Sequence, residues 1–236
     1  MEKLCVVLGG MNDTCISIAK TFAIDKCNIA FMDSNKQVGK EIKNEIEHQY
    51  DVKCFFFHGD PESQEDLEFF VGGIIGQFGM VDFFINNAII YASNNSENCC
   101  FEKMKKVFHL GVTVPFLFTQ LCKDNFREDA SIVNIITSTD HDNERLLADD
   151  FPLRGTMESF MSAITILLEG KIRINCVTNG YDENRMCQEE KQDIDHTILF
   201  LCKKRSDFIN CQIINIDGAL IQTYIEYNQG GWDIKK

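Results

Sequence analysis

The sequence predicts a single α/β domain in which a parallel sheet is covered by helices on both faces. Short apolar runs alternate with segments of helical periodicity along the chain. Each apolar run is continuous rather than alternating, which is typical of strands that are buried on both sides. No repeat or change in composition divides the 236 residues. We therefore predict one domain over residues 1–236, with 219–236 as a C-terminal tail.

The opening unit, Met1–Asp33, has the most informative order of features. An apolar run at Leu4–Leu8 is followed by Gly9 and Gly10, and then by helical spacing over Ile16–Ala23. A second apolar run ends in Asp33. Strand, glycine turn, helix, strand and acid together indicate a βαβ unit of the kind that binds a dinucleotide.

The later elements follow the same alternation. Five further strands are expected at 52–58, 81–85, 131–136, 172–177 and 212–216. Helices are expected at 36–50, from Pro61 to about 78, at 103–126 as one long helix or two joined ones, from Pro152 to about 168, and at 191–203. Pro61 and Pro152 are placed in the first helical turn, where proline is favoured. A polar loop is expected over 137–149.

Charge and cysteine usage narrow the function classes. A net charge of −13 argues against nucleic acid and anionic membrane surfaces as partners. Neither a secretory leader nor an apolar run of membrane-spanning length is recognised, so a cytoplasmic protein is predicted. The eleven cysteines are scattered, which favours reduced thiols over a disulfide framework. The five histidines have no ligand-like spacing, so no metal site is predicted.

Seven short sequence features occur in a characteristic order along the chain. They are Gly9, Asp33, Asp60, Asn86-Asn87-Ala88, Ser131–Ile135, Ile172–Asn175 and Asp217-Gly218. In this order and spacing the chain resembles the short-chain dehydrogenase/reductase family over nearly its whole length. The resemblance implies a Rossmann-like, doubly wound, seven-stranded parallel sheet and a nicotinamide cofactor across the strand carboxyl ends. It also implies a dimer or tetramer formed through the helices after strands four and five.

The phosphate loop departs from the family pattern. The family motif T-G-x-x-x-G-x-G aligns with residues 8–15, where Gly9 survives and Asp13 and Cys15 replace the other two glycines. A carboxylate at Asp13 would crowd and repel the pyrophosphate of a dinucleotide at this helix N-terminus. The alternative interpretation is that Asp13 caps the helix.

The resemblance assigns cofactor contacts to further positions. Asp33 matches the acid that binds the adenosine ribose, which favours NAD over NADP. Asp60 matches the adenine-side acid, and Asn87 and Ala88 match residues beside the ribose. The family's next glycine is Ile89 here. The open alternative is that these residues only form turns after their strands.

The family's catalytic residues are also replaced. Its serine, the tyrosine thirteen residues later and the lysine four beyond that fall on Thr137, Asp150 and Arg154. The upstream asparagine of the family falls on Gly111, or on His109 in a shifted alignment. A carboxylate beside a cation stays ionised and cannot donate a proton near neutral pH. The alternative is that Asp150 caps the helix begun at Pro152 and pairs with Arg154.

These substitutions suggest three functions. The first is a family descendant that is impaired or inactive in NAD(P)-dependent hydride transfer and acts as a binding or partner subunit. It is supported by the altered phosphate loop and catalytic positions and by a short segment after strand six, Tyr181–Arg185, where the family has a lid. The alternatives are an active NAD(P)-dependent oxidoreductase, and an enzyme of altered acid/base mechanism that uses Thr137 and Asp150. The sequence identifies no small-molecule ligand.

Overall fold

The computed structural model describes residues 2–89, 101–137, 144–179, 188–217 and 219, with the backbone alone at 88, 89, 101, 103, 137, 144–152, 188 and 190. Its strands form one parallel sheet. They are β1 (Lys3–Leu8), β2 (Cys27–Asp33), β3 (Cys54–His58), β4 (Val81–Ile89), β5 (Phe126–Thr137), β6 (Arg173–Asn179) and β7 (Ile213–Ile216).

The strand order is β3-β2-β1-β4-β5-β6-β7, and every neighbouring pair is parallel. The chain therefore winds outward in one direction from β1 to β3 and in the other from β4 to β7. This reversal between β1 and β4 creates a crevice at the strand carboxyl ends, where α/β sheets of this kind bind ligands. The predicted Rossmann-like fold class is confirmed.

Helices cover both faces of the sheet. They are α1 (Asp13–Ile24), α2 (Lys36–Tyr50), α3 (Gln64–Phe78), α4 (Phe101–Phe108), α5 (Val114–Leu121), α6 (Glu144–Leu167) and α7 (Gln188–Leu201). A π-helical segment (His109–Thr113) joins α4 to α5, and a short 3-10 turn (Lys204–Ser206) follows α7.

Each face of the sheet has its own apolar core. On one face, Phe84 of β4 packs on Phe118 of α5 with ring centroids 4.1 Å apart. On the other, Phe83 of β4 packs on Phe22 of α1 with centroids 5.4 Å apart. Successive β4 residues thus enter opposite cores, which is why the strands read as continuous apolar runs.

The predicted helix start at Pro61 is wrong. The helix begins at Gln64, and Ser63 caps it by accepting a hydrogen bond from the Asp66 amide at 3.3 Å. Pro61 lies in the turn before this cap. A serine hydroxyl satisfies an otherwise unpaired amide of the first turn, and this local interaction determined the boundary.

The predicted helix over 103–126 is correct in type but wrong at its end. The helical run passes through the π-helical segment and ends at Leu121, while Phe126 already opens β5. Asn125 lies between them, and its side chain donates to the Gly79 carbonyl at 3.1 Å. Its own carbonyl accepts from the Val81 amide at 2.8 Å. These contacts hold the turn at the start of β4 and β5.

The predicted start at Pro152 is also wrong, because α6 begins at Glu144. The predicted polar loop over 137–149 is wrong at both ends, since Thr137 is the last residue of β5. The segment ahead of the proline contains Glu, Arg, Leu and Ala, which are strong helix formers. That propensity, rather than the proline, sets the start of the helix.

Candidate functional site

The turn between β1 and α1 is built directly against β4. Gly9 has φ of +126°, and a Cβ there would lie 2.2 Å from the backbone oxygen of Asn87. Gly10 also has a positive φ, +78°. No residue with a side chain fits the Gly9 position, so the first glycine of the loop is required by the backbone.

The predicted cap of α1 by Asp13 is wrong. Asn12 caps the helix, and its Oδ1 accepts a hydrogen bond from the Cys15 amide at 2.9 Å. Asn12 has the extended backbone of a cap residue, whereas Asp13 is the first residue of the helix itself. The Asp13 side chain is 76% exposed and pairs with Lys191 of α7, with 3.5 Å between Oδ2 and Nζ.

Asp33 is tied to the same turn. Its Oδ2 accepts a hydrogen bond from the Met11 amide at 2.7 Å, and its Oδ1 accepts from the Asn35 amide at 2.6 Å. An ionised carboxylate offers about four acceptor positions. Each oxygen of Asp33 therefore retains a lone pair with which it could accept from a ribose hydroxyl.

Asp60 has the contacts of a turn residue. It is exposed, its Oδ1 accepts from the Glu62 amide at 2.9 Å, and its own amide donates to Asp66 Oδ2 at 2.8 Å. The turn is joined to β2 by a hydrogen bond from the Gly59 amide to the Asp33 carbonyl at 3.2 Å. Turn formation accounts for the described contacts of Asp60.

Buried amides lie at the carboxyl ends of the central strands. Asn87 is 1% exposed, its Nδ2 donates to Cys15 Sγ at 3.4 Å, and its Oδ1 has no hydrogen-bond partner among the described residues. Ala88 continues β4 opposite Ile136 of β5. The sequence analysis missed Asn134, which lies opposite Asn86 and is buried with neither amide atom hydrogen-bonded in the described structure. An asparagine inside an apolar strand run was the signal for it.

The family's serine and tyrosine positions are located by backbone alone. Thr137 lies at the carboxyl end of β5, between Ile89 of β4 and Asn179 of β6. Asp150 lies inside α6, so the prediction that it caps this helix is wrong. Its predicted pairing with Arg154 lies outside the described side chains, as does the segment Tyr181–Arg185.

Arg154 connects α6 to β7, the strand at one edge of the sheet. Its Nη2 donates to Asn215 Oδ1 of β7 at 2.7 Å, and Thr178 Oγ1 of β6 donates to the same oxygen at 2.9 Å. Its Nη1 is buried and has no hydrogen-bond partner among the described residues. The structure thus brings Gly9, Asp13, Asp33 and Asn87 together around the first turn, whereas Arg154 is anchored at β6 and β7.

Gly111 lies in the π-helical segment and is buried. A Cβ there would come within 2.8 Å of Leu153 Cδ1 on α6. The alternative position, His109, makes a hydrogen bond of 3.2 Å between its Nε2 and the Glu62 carbonyl. Close packing against α6 therefore explains a glycine where the family has asparagine.

Replacing Gly111 with asparagine is expected to destabilise the protein by about 1–3 kcal/mol, because Leu153 must move to admit a side chain. Gly155→Asn is the matched control, since a Cβ at Gly155 meets no described atom within 4 Å. That change should stabilise α6 slightly. Urea denaturation measures both, and equal stability of the two variants would contradict the packing explanation.

The buried side chain of Asp195 joins α7 to α1, the helix that follows the glycine turn. Asp195 accepts hydrogen bonds from Ser17, and from Thr21 at 3.5 Å, both on α1. Burial raises the pKa of Asp195 from 3.8 to about 6, against the opposing effects of the Ser17 hydroxyl and of His196. Folding therefore raises the affinity of Asp195 for its proton, although a carboxyl with a pKa of about 6 is still mostly ionised at pH 7.

This pKa predicts a pH-dependent stability. Because the pKa of Asp195 is higher in the folded than in the unfolded chain, its contribution to stability is fully present below pH 3.8. That contribution is lost as the pH rises through about 6. Asp195→Asn removes the ionisation and keeps an acceptor for Ser17. We expect it to stabilise the protein by about 2–3 kcal/mol near neutral pH and to have little effect at about pH 4. Melting curves across this range test it, and a pH-independent effect would contradict it.

The described cysteines have the properties of structural thiols rather than reactive ones. The eight cysteines described form no disulfide with one another, and seven of them are buried. Burial raises the pKa of five thiols to about 12, those of Cys27, Cys54, Cys122, Cys176 and Cys202. Within the described part of the chain, no cluster of three or more His, Cys, Asp or Glu residues could hold a metal ion. No helix there is long and apolar enough to cross a membrane.

Comparison of the sequence with known families and proteins gives consistent matches. A family model described as short chain dehydrogenase matches residues 3–195. The chain is 22% identical to the diacetyl reductase ((S)-acetoin forming) of Staphylococcus epidermidis, over 94% of this chain and 99% of that protein. It is 21% identical to the 3alpha-hydroxysteroid dehydrogenase of Mediterraneibacter gnavus, over 92% of this chain and 96% of that one.

Solved structures have the same fold. The hydroxysteroid dehydrogenase from Escherichia coli superimposes with a TM-score of 0.77 at 20% identity, covering 92% of this chain and 96% of that one. A short-chain dehydrogenase/reductase from Brucella melitensis gives a TM-score of 0.77 at 20% identity, over 93% and 99% of the two chains. At these identities the likeness is one of fold.

Proposed function

Because the chain belongs to the short-chain dehydrogenase/reductase family, we propose that it is an NAD(P)-dependent oxidoreductase, with its dinucleotide bound over the carboxyl ends of β1, β2 and β4. The observation that carries the proposal is the turn at Gly9. It lies against Asn87, it is followed by the N-terminus of α1, and its Met11 amide is held by the Asp33 carboxylate. These are the parts that a pyrophosphate and an adenosine ribose require.

The residues around the Gly9 turn fit a dinucleotide. The amides of the first turn of α1 would hold the pyrophosphate, and Asp33 would accept from the adenosine ribose hydroxyls. A carboxylate there would repel the 2′-phosphate of NADP, so we propose NAD as the cofactor. The exposed Asp13 carboxylate, which the sequence analysis expected to crowd the phosphates, pairs with Lys191. That pairing supports binding despite the lost glycines.

When bound, the nicotinamide ring would supply hydride transfer. At the substrate oxygen we propose Thr137, Asp150 and Arg154, the positions of the family's catalytic residues. In alcohol oxidation the Asp150 carboxylate would accept the hydroxyl proton, and the Thr137 hydroxyl would donate a hydrogen bond to the same oxygen. Arg154 stays positively charged, so it can stabilise a developing alkoxide but cannot donate a catalytic proton. Its Nη1, which has no hydrogen-bond partner among the described residues, is consistent with this role. Related proteins are named for alcohol and ketone interconversion, and we propose that substrate class here.

Calorimetric titration of NAD(H) and NADP(H) tests the binding step. We expect NAD(H) to bind with a dissociation constant below about 1 mM and more tightly than NADP(H). Cofactor-dependent turnover is then measured with diacetyl, a cyclic ketone and a 3-ketosteroid. If neither NAD(H) nor NADP(H) binds, the proposed function is refuted.

A second candidate is a nucleotide-binding partner subunit without hydride transfer. The observation that favours it is the hydrogen bond of Arg154 to Asn215, which engages the guanidinium at the sheet. The replacement of the family's tyrosine by Asp150 also favours it. Tight NAD(H) binding with no turnover of any alcohol or ketone would select this candidate over the first.

We also propose a cytoplasmic homo-oligomer, a dimer or tetramer, formed through the helices after β4 and β5. Leu121 at the end of α5 is 38% exposed and Ile166 near the end of α6 is 79% exposed, and both are apolar. The buried thiols, none of which forms a disulfide among the described residues, suit a reducing compartment. A monomer in light scattering at micromolar concentration would contradict the oligomer.

A further inference from the structure

The ion pair between Asp13 and Lys191 joins α7 to the first residue of α1. The two side chains differ in how firmly they are held. Lys191 is 25% exposed, whereas Asp13 is 76% exposed. An exposed carboxylate can turn into solvent at little cost, because a surface ion pair contributes only about 0–1 kcal/mol. A lysine that is packed along most of its length stays beside the helix N-terminus.

We propose that Lys191 binds the pyrophosphate of the dinucleotide and that Asp13 competes with this pyrophosphate for the Lys191 ammonium. The inference rests on the proposed function, which it deepens by assigning a phosphate-binding residue on α7. In the unliganded protein Asp13 neutralises Lys191. On binding, the phosphate takes the ammonium and Asp13 turns outward.

Charge balance around the turn supports this assignment. Asp13 and Asp33 place two acidic side chains near the Gly9 turn. Phosphates approaching them would meet repulsion that the amides of one helix N-terminus offset only in part. The Lys191 ammonium is 3.5 Å from the Asp13 carboxylate. A flexible four-carbon stem lets it follow an anion bound at the adjacent amides.

A second observation also indicates a ligand at this turn. Asn87 is almost fully buried beneath Gly9, and its side-chain oxygen has no hydrogen-bond partner in the described structure. Buried polar atoms in folded proteins are nearly always hydrogen-bonded. Among the described residues no donor reaches this oxygen, and a bound ribose, or the water around it, would supply one.

The test is calorimetric titration of NADH into the full chain and three variants. Lys191→Met is expected to weaken binding about tenfold, as for the loss of one charge-assisted hydrogen bond, and to lessen the dependence of affinity on salt. Asp13→Asn is expected to tighten binding about tenfold. In the Asp13→Asn/Lys191→Met double variant most of that gain should disappear, because the ammonium for which Asp13 competes is gone.

The ion pair between Lys20 of α1 and Glu45 of α2 provides matched controls. Lys20→Met and Glu45→Gln make the same charge changes on the same side of the sheet, and we expect each to alter affinity by less than about twofold. Melting curves of the unliganded variants establish that each is folded.

The outcomes separate the two proposals. If neither the natural protein nor Asp13→Asn binds NADH, the proposed function fails. If the natural protein binds NADH and Lys191→Met binds equally well, only the assignment of Lys191 is overturned. Equal weakening by Lys191→Met and Lys20→Met would also overturn it, because the effect would then be one of net charge.

Discussion

Replacing Gly9 with alanine is expected to destabilise the fold by about 3 kcal/mol or more and to abolish dinucleotide binding. The new Cβ would lie 2.2 Å from the Asn87 backbone oxygen, and φ at this position is +126°. Asn87 is paired with Ile135 of β5, and the residue before it, Asn86, is paired with β1, so the sheet restricts movement of the Asn87 carbonyl. The turn itself would have to move, and with it the amides that face the phosphates.

Urea denaturation and NADH calorimetry measure the two effects. Gly76→Ala in α3 is the control, because a Cβ at Gly76 meets no atom of the described residues within 4 Å. It should stabilise the protein slightly through helix propensity. A Gly9→Ala variant that remained as stable as Gly76→Ala would contradict the described turn.

Replacing Asp33 with asparagine is expected to weaken NAD(H) binding about thirtyfold or more and to lower stability by about 1–2 kcal/mol. The carboxylate accepts from the Met11 and Asn35 amides with separate oxygens. An amide has one oxygen, so one of these backbone N–H groups would face an NH₂ group. The preference for NAD over NADP should narrow, because the charge that repels a 2′-phosphate is gone.

Asp51→Asn is the control for the Asp33 variant. Asp51 is exposed, ends α2 and has a left-handed backbone with φ of 54°, a conformation that asparagine tolerates well. It makes the same charge change without touching the glycine turn. Unchanged NAD(H) affinity in Asp33→Asn would remove Asp33 from the cofactor site, and equal loss in both variants would indicate an effect of net charge.

The strands and their order along the chain could be predicted because burial on both faces leaves a direct trace in the residues. Phe83 and Phe84 enter opposite cores, so both had to be apolar. The second helix was predicted at Lys36–Tyr50, as the structure has it, because a charged surface helix shows its periodicity clearly. The α/β class with a parallel sheet therefore followed from local pattern, whereas the Rossmann-like doubly wound sheet was implied by the family resemblance.

Helix starts were predicted less well, because capping is a competition between neighbours. Asn12 rather than Asp13 caps α1, and Ser63 rather than Pro61 sets the start of α3. In each case two residues within two positions of each other were compatible with the start of the helix, and a difference of about 1 kcal/mol or less selects between them. Such a difference depends on backbone angles that the sequence does not display.

The sequence by itself determined that this chain folds as a short-chain dehydrogenase/reductase domain and which positions correspond to the family's site. It also predicted that the site carries Asp13 and Arg154 where the family has glycine and lysine. Only the tertiary structure decided what those replacements contact. Lys191 of α7 lies far from Asp13 of α1 along the chain, yet the two form an ion pair. Asn215 of β7 is likewise distant from Arg154 of α6, to which it is hydrogen-bonded. Periodicity reports the burial of each residue separately, whereas an ion pair or hydrogen bond depends on two elements packing in one particular register.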